Sequence, residues 1–412
     1  MSVLTNLFNV LALLYIGRAV QLTAQVIRNW AEVRQEPLTK AKQRLADQAA
    51  FFIAVPPSVL FHELAHAAAI WLFGGQVVEF GYRVFWGYVI PAGDFTSVQY
   101  WFIAVAGPLG SLAFGAGVWL ALRRNPSRSL QYFGLRTFRF QIYFSLIYYP
   151  LFSLVLPVGD WRIIYNFSAT PILSGIAAIL QAGTLVWFWR FERRGGFEMP
   201  AFESMADQAV YESARAAAAM GDEAAELQAI DFQRRGGARH QARTSLQAYL
   251  NHRPDSAAAY LQYAALLAGD QDSVSRDAAK AARRALEIGL SNPQQVAYAR
   301  EIVATHYLER GDSHAAEEEL DQALSVGADI LQPVFRAELH ALRSRSYRRQ
   351  EKYSKAYQDI HTAIDLARSA GDNAAESRYT GELQVIEKNS RSHHRPFLDT
   401  DGQTTYLPPG SG

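Results

Sequence analysis

Five stretches of mainly apolar residues, over 3–27, 49–73, 99–122, 138–158 and 167–189, dominate the first half of this 412-residue chain. Each approaches the ~20 residues that cross a ~30 Å hydrocarbon layer as a helix. Inside such a layer every backbone N–H and C=O must be satisfied by the segment itself, so stretches of this kind predict helices. The first is the most polar, with Arg18, Gln21 and Gln25, and can also be read as an interfacial amphipathic helix. No signal-peptide cleavage pattern follows it, so it is expected to be retained.

Composition changes near residue 195. All eight tryptophans lie at or before Trp189, and 19 of the 23 phenylalanines at or before Phe197. The rest is rich in Ala, Glu, Arg and Gln and has no apolar run of spanning length. A net charge of +1 averages over two unlike halves, and no nucleic-acid partner is expected. The absence of cysteine excludes disulfides and any Cys-ligated metal site. Lys and Arg alternate between loops. The 28–47 and 123–139 loops and the segment after residue 189 hold 13, whereas segments 74–98 and 159–166 hold only Arg83 and Arg162. The positive-inside rule then places the C-terminal half in the cytoplasm.

Within the second stretch stands His62-Glu63-Leu64-Ala65-His66. On a helix, residues i and i+4 share a face, so both imidazoles can reach one metal ion. Glu63 points roughly 100° away, where it can take a proton from a metal-bound water. Histidines and a carboxylate in an apolar helix are costly without partners and are functional by default. Catalytic zinc takes three protein ligands and leaves a fourth position open. The membrane half has no other histidine, so the third ligand should be a carboxylate. Glu32, Glu36 and Asp47 lie in a basic loop and are expected to be solvated. Asp160 ends the fourth stretch after Pro157 and Gly159, which break the helix and let the carboxylate turn inward. Asp160 is the expected ligand and Asp94 the reserve.

Residues 76–90 are β-branched and aromatic with spaced glycines, which predicts a short β-hairpin after the zinc helix. It reads either as an amphiphilic loop or as an edge strand that holds an extended peptide. Ala106-Gly107-Pro108-Leu109-Gly110-Ser111 lies in the third stretch, with Gly115 and Gly117 beyond. Its small-residue spacing suits close helix packing, or else a helix break beside the metal.

In order along the chain, Phe61-His62-Glu63-Leu64-Ala65-His66-Ala67, the β-like segment, Ala106-Gly107-Pro108-Leu109-Gly110-Ser111 and Pro157-Val158-Gly159-Asp160 resemble the site-2 protease family of intramembrane zinc metalloproteases. The resemblance covers roughly residues 45–190. It implies Zn²⁺ held by His62, His66 and Asp160, Glu63 as general base, and a transmembrane protein segment as substrate. Members often carry Asn shortly after Gly-Pro, where this chain has Ser111, and here Gly precedes Asp160 and Trp161 follows it. The family generally holds zinc nearer the cytoplasmic face, whereas the Lys and Arg distribution puts the β-segment and Asp160 outside.

Residues 203–390 read as helices broken by Gly, Asp and Pro. A pattern of a small residue, an apolar residue four later and a small-large pair starts at Ala242, Ala278, Ala316 and Ala356, at intervals of 36, 38 and 40 residues. It marks the second helix of a helix-turn-helix unit and resembles degenerate tetratricopeptide repeats, which implies a surface for a peptide or adaptor protein. The eight histidines here are expected at the surface.

The expected fold is all-α: a polytopic transmembrane helical bundle with a short β-hairpin insertion, then an α-solenoid. The expected domains are a transmembrane metalloprotease over 1–195, repeats over 196–390 and a disordered tail over 391–412. The expected function is intramembrane zinc endopeptidase in a bacterial inner membrane, with the repeats recruiting substrate or adaptor. The alternative is a membrane-anchored repeat scaffold with a vestigial or structural metal site.

Overall fold

Two prolines set the start of the helix that carries the His-Glu motif. Helix α1 (Ser2–Arg28) and the short α2 (Trp30–Arg34) precede α3 (Lys40–Phe52), whose first turn is capped by the Thr39 hydroxyl accepting from the Lys42 amide at 3.3 Å. Helix α4 (Val55–Leu72) follows after two residues. Pro56 and Pro57 sit in its first turn, where a missing N–H costs nothing because those amides have no intrahelical partner. The computed structural model describes residues 2–84, 86–155, 159–269, 273–326 and 330–393. The expected disordered tail, 391–412, lies outside them from residue 394 on. Two compact units divide at Thr244 and Ser245.

In the first unit, α4 runs into a hairpin of β1 (Gln76–Tyr82) and β2 (Gly87–Ala92), paired antiparallel with an irregularity between Val77 and Glu79. The expected hairpin is therefore present. Helix α5 (Ser97–Leu122) begins with a reciprocal cap between Thr96 and Gln99. It continues unbroken through Pro108, so the Gly-Pro element packs against a neighbour and does not end a helix. Helix α6 (Arg128–Tyr143) passes through a π-helical turn, Phe144–Tyr148, into α7 (Tyr149–Val155). A single turn, α8 (Trp161–Ile164), leads to α9 (Pro171–Arg193).

Among the described residues, three helical segments are long and apolar enough to cross a membrane: Lys40–Leu72, Ser97–Leu122 and Pro171–Arg193. Large apolar side chains on α9 face outward, among them Ile172, Ile179, Leu180 and Trp187, as a lipid-facing helix requires. The other two expected spans are not among these three. The first is helical but interrupted by Arg18, Gln21 and Gln25. The fourth falls on the end of a helix rich in arginine, the π turn and α7, with residues 156–158 outside the described set. Two of the three basic-loop acids have partners and are not simply solvated. Glu36 accepts from the Arg128 amide at 2.6 Å, and Asp47 from Arg136 at 2.5 Å.

The chain after α9 stays with the first unit. The Phe202 amide donates to the Leu38 carbonyl at 2.8 Å, and Gln43 donates to the Met199 carbonyl at 2.7 Å. Arg128 pairs with Glu212 of α10 (Met205–Ala219) at 2.5 Å, and α10 packs on α11 (Glu223–Arg235). Helix α12 (Arg239–His252) crosses the division.

The second unit is a run of antiparallel neighbours: α13 (Ala257–Ala268), α14 (Arg276–Ile288), α15 (Pro293–Glu309), α16 (Ser313–Leu324), α17 (Pro333–Arg349), α18 (Tyr353–Ser369) and α19 (Asn373–His393). The repeat pattern falls on α12, α14, α16 and α18. Ala242, Ala278, Ala316 and Ala356 are fully buried, as are Leu246, Ala282, Leu320 and Ile360 four residues later. Small residues there let adjacent helices approach, and each buried Leu or Ile contributes about 1.5–3 kcal/mol. This is the stacking of tetratricopeptide-like helix pairs. His306 departs from expectation: it is buried, with Nδ1 2.9 Å from the Val274 carbonyl oxygen, and His340 and His361 are only partly exposed.

Glu301 on α15 is largely removed from water, and burial together with repulsion from Glu338 pushes its carboxyl up to about 7. Its folded-state pKa is raised, so its contribution favours the fold below the ordinary carboxylate range and is lost as pH rises towards 7. Amide exchange in α15, corrected for intrinsic rates, should show stronger protection at pH 5 than at pH 8. Glu301→Gln should flatten that difference, and an unchanged difference would assign it to another group.

Candidate metal centre

Two turns of α4 present His62 and His66 on one face, 4.7 Å apart between ring centroids and nearly perpendicular. Asp160 reaches them from 98 residues away in sequence. Its Oδ2 lies 2.9 Å from His62 Nε2 and 3.2 Å from His66 Nε2. These three ligand atoms form the one His/Asp/Glu group with metal-binding spacing among the described residues. Tetrahedral zinc with bonds of about 2.1 Å sets its ligands about 3.4 Å apart, so the observed spacing suits one small cation.

The outward ring nitrogens are also engaged. His66 Nδ1 donates to the Ile103 carbonyl at 2.7 Å, and His62 Nδ1 is 3.2 Å from Ser111 Oγ. Both partners are on α5. They hold each ring with Nε2 toward the centre, which is how protein metal sites fix the tautomer and raise ligand basicity. Two imidazoles and a carboxylate are the donor set of a catalytic zinc with an open position. The chain's own residues therefore fit the ion.

Why α5 comes so near is visible at its glycines. A Cβ on Gly107 would lie 2.3 Å from His66 Nε2 and 2.5 Å from His62 Nε2. One on Gly110 would lie 2.7 Å from both Ala65 Cβ and the Phe61 carbonyl. Farther along, Gly115 packs on Gln141, whose side-chain oxygen accepts from Ser58 at 2.8 Å and so ties α4 to α6. Asp160 is aimed by Gly159, whose φ of +109° is a conformation that side-chain-bearing residues rarely adopt. Beyond it, Trp101 of α5 donates to the Ile164 carbonyl at 3.0 Å and anchors α8.

Glu63 is buried beside the centre and covered by the hairpin. A Cβ on Gly87 would lie 2.6 Å from Glu63 Cγ and 2.7 Å from its Oε1. In front of the motif lies a cavity of about 650 Å³ lined by Val59, Ile70, Trp86, Tyr88 and Phe152 among others. Asp94, the reserve ligand, is exposed and outside the cluster. Ser111, which stands where family members often carry Asn, proves to be His62's partner. The Ile103 carbonyl and Tyr149, whose hydroxyl donates to Asp160 at 3.0 Å, had no sequence signal at all.

Residues 56–186 match the family described as Peptidase M50B-like. The resemblance to site-2 proteases is thus borne out for this segment, about a third of the chain, which is similar to membrane metalloproteases of that kind. No curated protein matches the chain. Among solved structures, the crystal structure of MamA protein is 13% identical and matches over 42% of this chain and 96% of that one, with a TM-score of 0.29. A MamA RS-1 ArsTM double mutant is 16% identical over 42% of this chain and 98% of its own, with a TM-score of 0.31.

Gly107→Ala adds one methyl group where both Nε2 atoms already stand. Zinc affinity of the purified protein, measured by chelator competition, should fall by about 100-fold or more, as expected when ligands are displaced. Gly117→Ala on the same helix meets nothing within 4 Å and should leave zinc binding unchanged.

Proposed function

We propose that the protein is an intramembrane zinc endopeptidase that hydrolyses a peptide bond in or near a transmembrane segment of another protein. The observation that supports this most is the convergence of His62 Nε2, His66 Nε2 and Asp160 Oδ2 beside a buried Glu63 on a helix apolar enough to cross a membrane. In this reading His62, His66 and Asp160 hold Zn²⁺. A zinc ion held there would supply Lewis acidity and would lower the pKa of a bound water to about 7. Glu63 is placed to hold the proton taken from the attacking water and to return it to the nitrogen of the departing amine, since one carboxylate can act in turn as base and acid.

The substrate segment must be extended at the point of cleavage, because a helix engages its own carbonyls in hydrogen bonds. The hairpin fits that need. It flanks the cavity, covers Glu63 through Gly87, and offers a strand edge to a peptide backbone. The apolar cavity lining suits a substrate drawn from a membrane. We assign catalysis to residues 1–195 and recruitment of substrate or an adaptor protein to the repeats over 196–390. By the distribution of Lys and Arg, with α6 and α7 taken as a further crossing that brings Arg128 beside Glu36 and Glu212, we place the repeats in the cytoplasm, and we assign the membrane as a bacterial inner one.

Glu63→Gln keeps the shape of the site and removes the base. Cleavage of the cellular substrate should fall by about 10²–10⁴-fold while zinc content stays the same. Undiminished processing would leave the membrane-anchored scaffold as the better reading. Removal of residues 257–412 should strongly reduce cleavage of the native substrate yet spare a short synthetic one. Equal loss or equal retention for both would end the recruitment role.

A further inference from the structure

Tyr149 occupies a position that a regular helix would not give it. The residue after it, Pro150, has no N–H to donate to the carbonyl of Leu146, and its ring crowds that carbonyl. The helix opens by one residue into the π turn Phe144–Tyr148, which the Tyr149 amide closes by donating to the Phe144 carbonyl five residues back. The freed Leu146 carbonyl accepts instead from Gln181 of α9 at 2.6 Å. One extra residue rotates everything beyond it by roughly 100° relative to a continuous α-helix. That rotation turns the Tyr149 ring into the cavity, against His62 at 5.7 Å between centroids and flat against Phe144 at 6.3 Å.

From there the phenol grips Asp160 twice. Its hydroxyl donates to Oδ2 at 3.0 Å, and its oxygen accepts from the Asp160 backbone amide at 3.2 Å. The oxygen it holds is the one that faces both histidine Nε2 atoms. Asp160 needs such a clamp more than its partners do. The histidines ride on a long helix and are held through Nδ1, whereas Asp160 precedes a single helical turn and follows a glycine. A carboxylate left free there would have to be ordered when the ion binds, at the expense of affinity.

We propose that Tyr149 is a positioning residue that pre-sets the Asp160 carboxylate for zinc, and that the Pro150 π turn exists to place it. This rests on the zinc reading above. The test is zinc affinity of the purified full-length protein by chelator competition, alongside melting of the zinc-free protein. Tyr149→Phe removes only the hydroxyl. It should weaken zinc binding by about 10–100-fold, the usual effect of losing a partner behind a metal ligand. Tyr148→Phe, half-exposed next to it, should bind zinc as the natural chain does. Should the phenylalanine variant also melt lower, a double-mutant comparison still decides. Tyr149→Phe added to Asp160→Ala should cost no further zinc affinity, since both act through one ligand. Full additivity, or zinc binding by Tyr149→Phe equal to the natural chain, overturns the inference. A natural chain that binds no zinc, or whose zinc survives His62→Ala, instead overturns the reading beneath it.

Discussion

The near contact of α4 and α5 is the constraint on which the rest of the site depends. Gly107 and Gly110 remove the side chains that would hold the two helices apart. Only at that separation can α5 supply the Ile103 carbonyl and the Ser111 hydroxyl to the two outer ring nitrogens. In a membrane there is no water to hold an idle imidazole N–H, so partners on a neighbouring helix decide which way each ring faces. The same approach carries Trp101 to the carbonyl that anchors α8, and so bears on where Asp160 stands.

Departures from helical regularity build the other side of the centre. Pro150 forces the π turn beside Tyr149, Gly159 turns the chain through a positive φ beside Asp160, and the two side chains meet. Freed backbone groups inside a membrane protein must find new partners, and Gln181 meets that need for Leu146. At the π turn itself Ser145 and Leu146 are buried.

The repeats follow a different logic. Their order comes from small residues at fixed positions on α14, α16 and α18, and from ion pairs between neighbouring helices. Arg343 bridges Asp321 and Asp359, while Arg345 reaches Glu382 at 2.6 Å. Each helix needs only its neighbours, so intervals of 36, 38 and 40 residues are tolerated where a closed bundle would not accept them.

By itself the sequence determined whatever has a local period. Apolar length marked the helices of Lys40–Leu72, Ser97–Leu122 and Pro171–Arg193; the i, i+4 histidines defined one face of α4; β-branched residues with glycines marked the hairpin; and the small-apolar spacing marked α14, α16 and α18. Elimination left Glu79, Asp94 and Asp160, and the helix breaks at Pro157 and Gly159 favoured Asp160. Apolar length did not show that arginines and the Tyr149-Pro150 step interrupt the regular helix of α6 and α7. Only the tertiary structure decided what surrounds the histidines: Ser111 behind His62, the Ile103 carbonyl behind His66, Gly87 over Glu63 and Tyr149 on Asp160. These contacts join residues 11 to 49 positions apart, and Asp160 joins His62 across 98. Periodicity describes which face a residue takes on its own helix. It carries no information about how near another helix comes, which here is set by the volume of a few missing side chains.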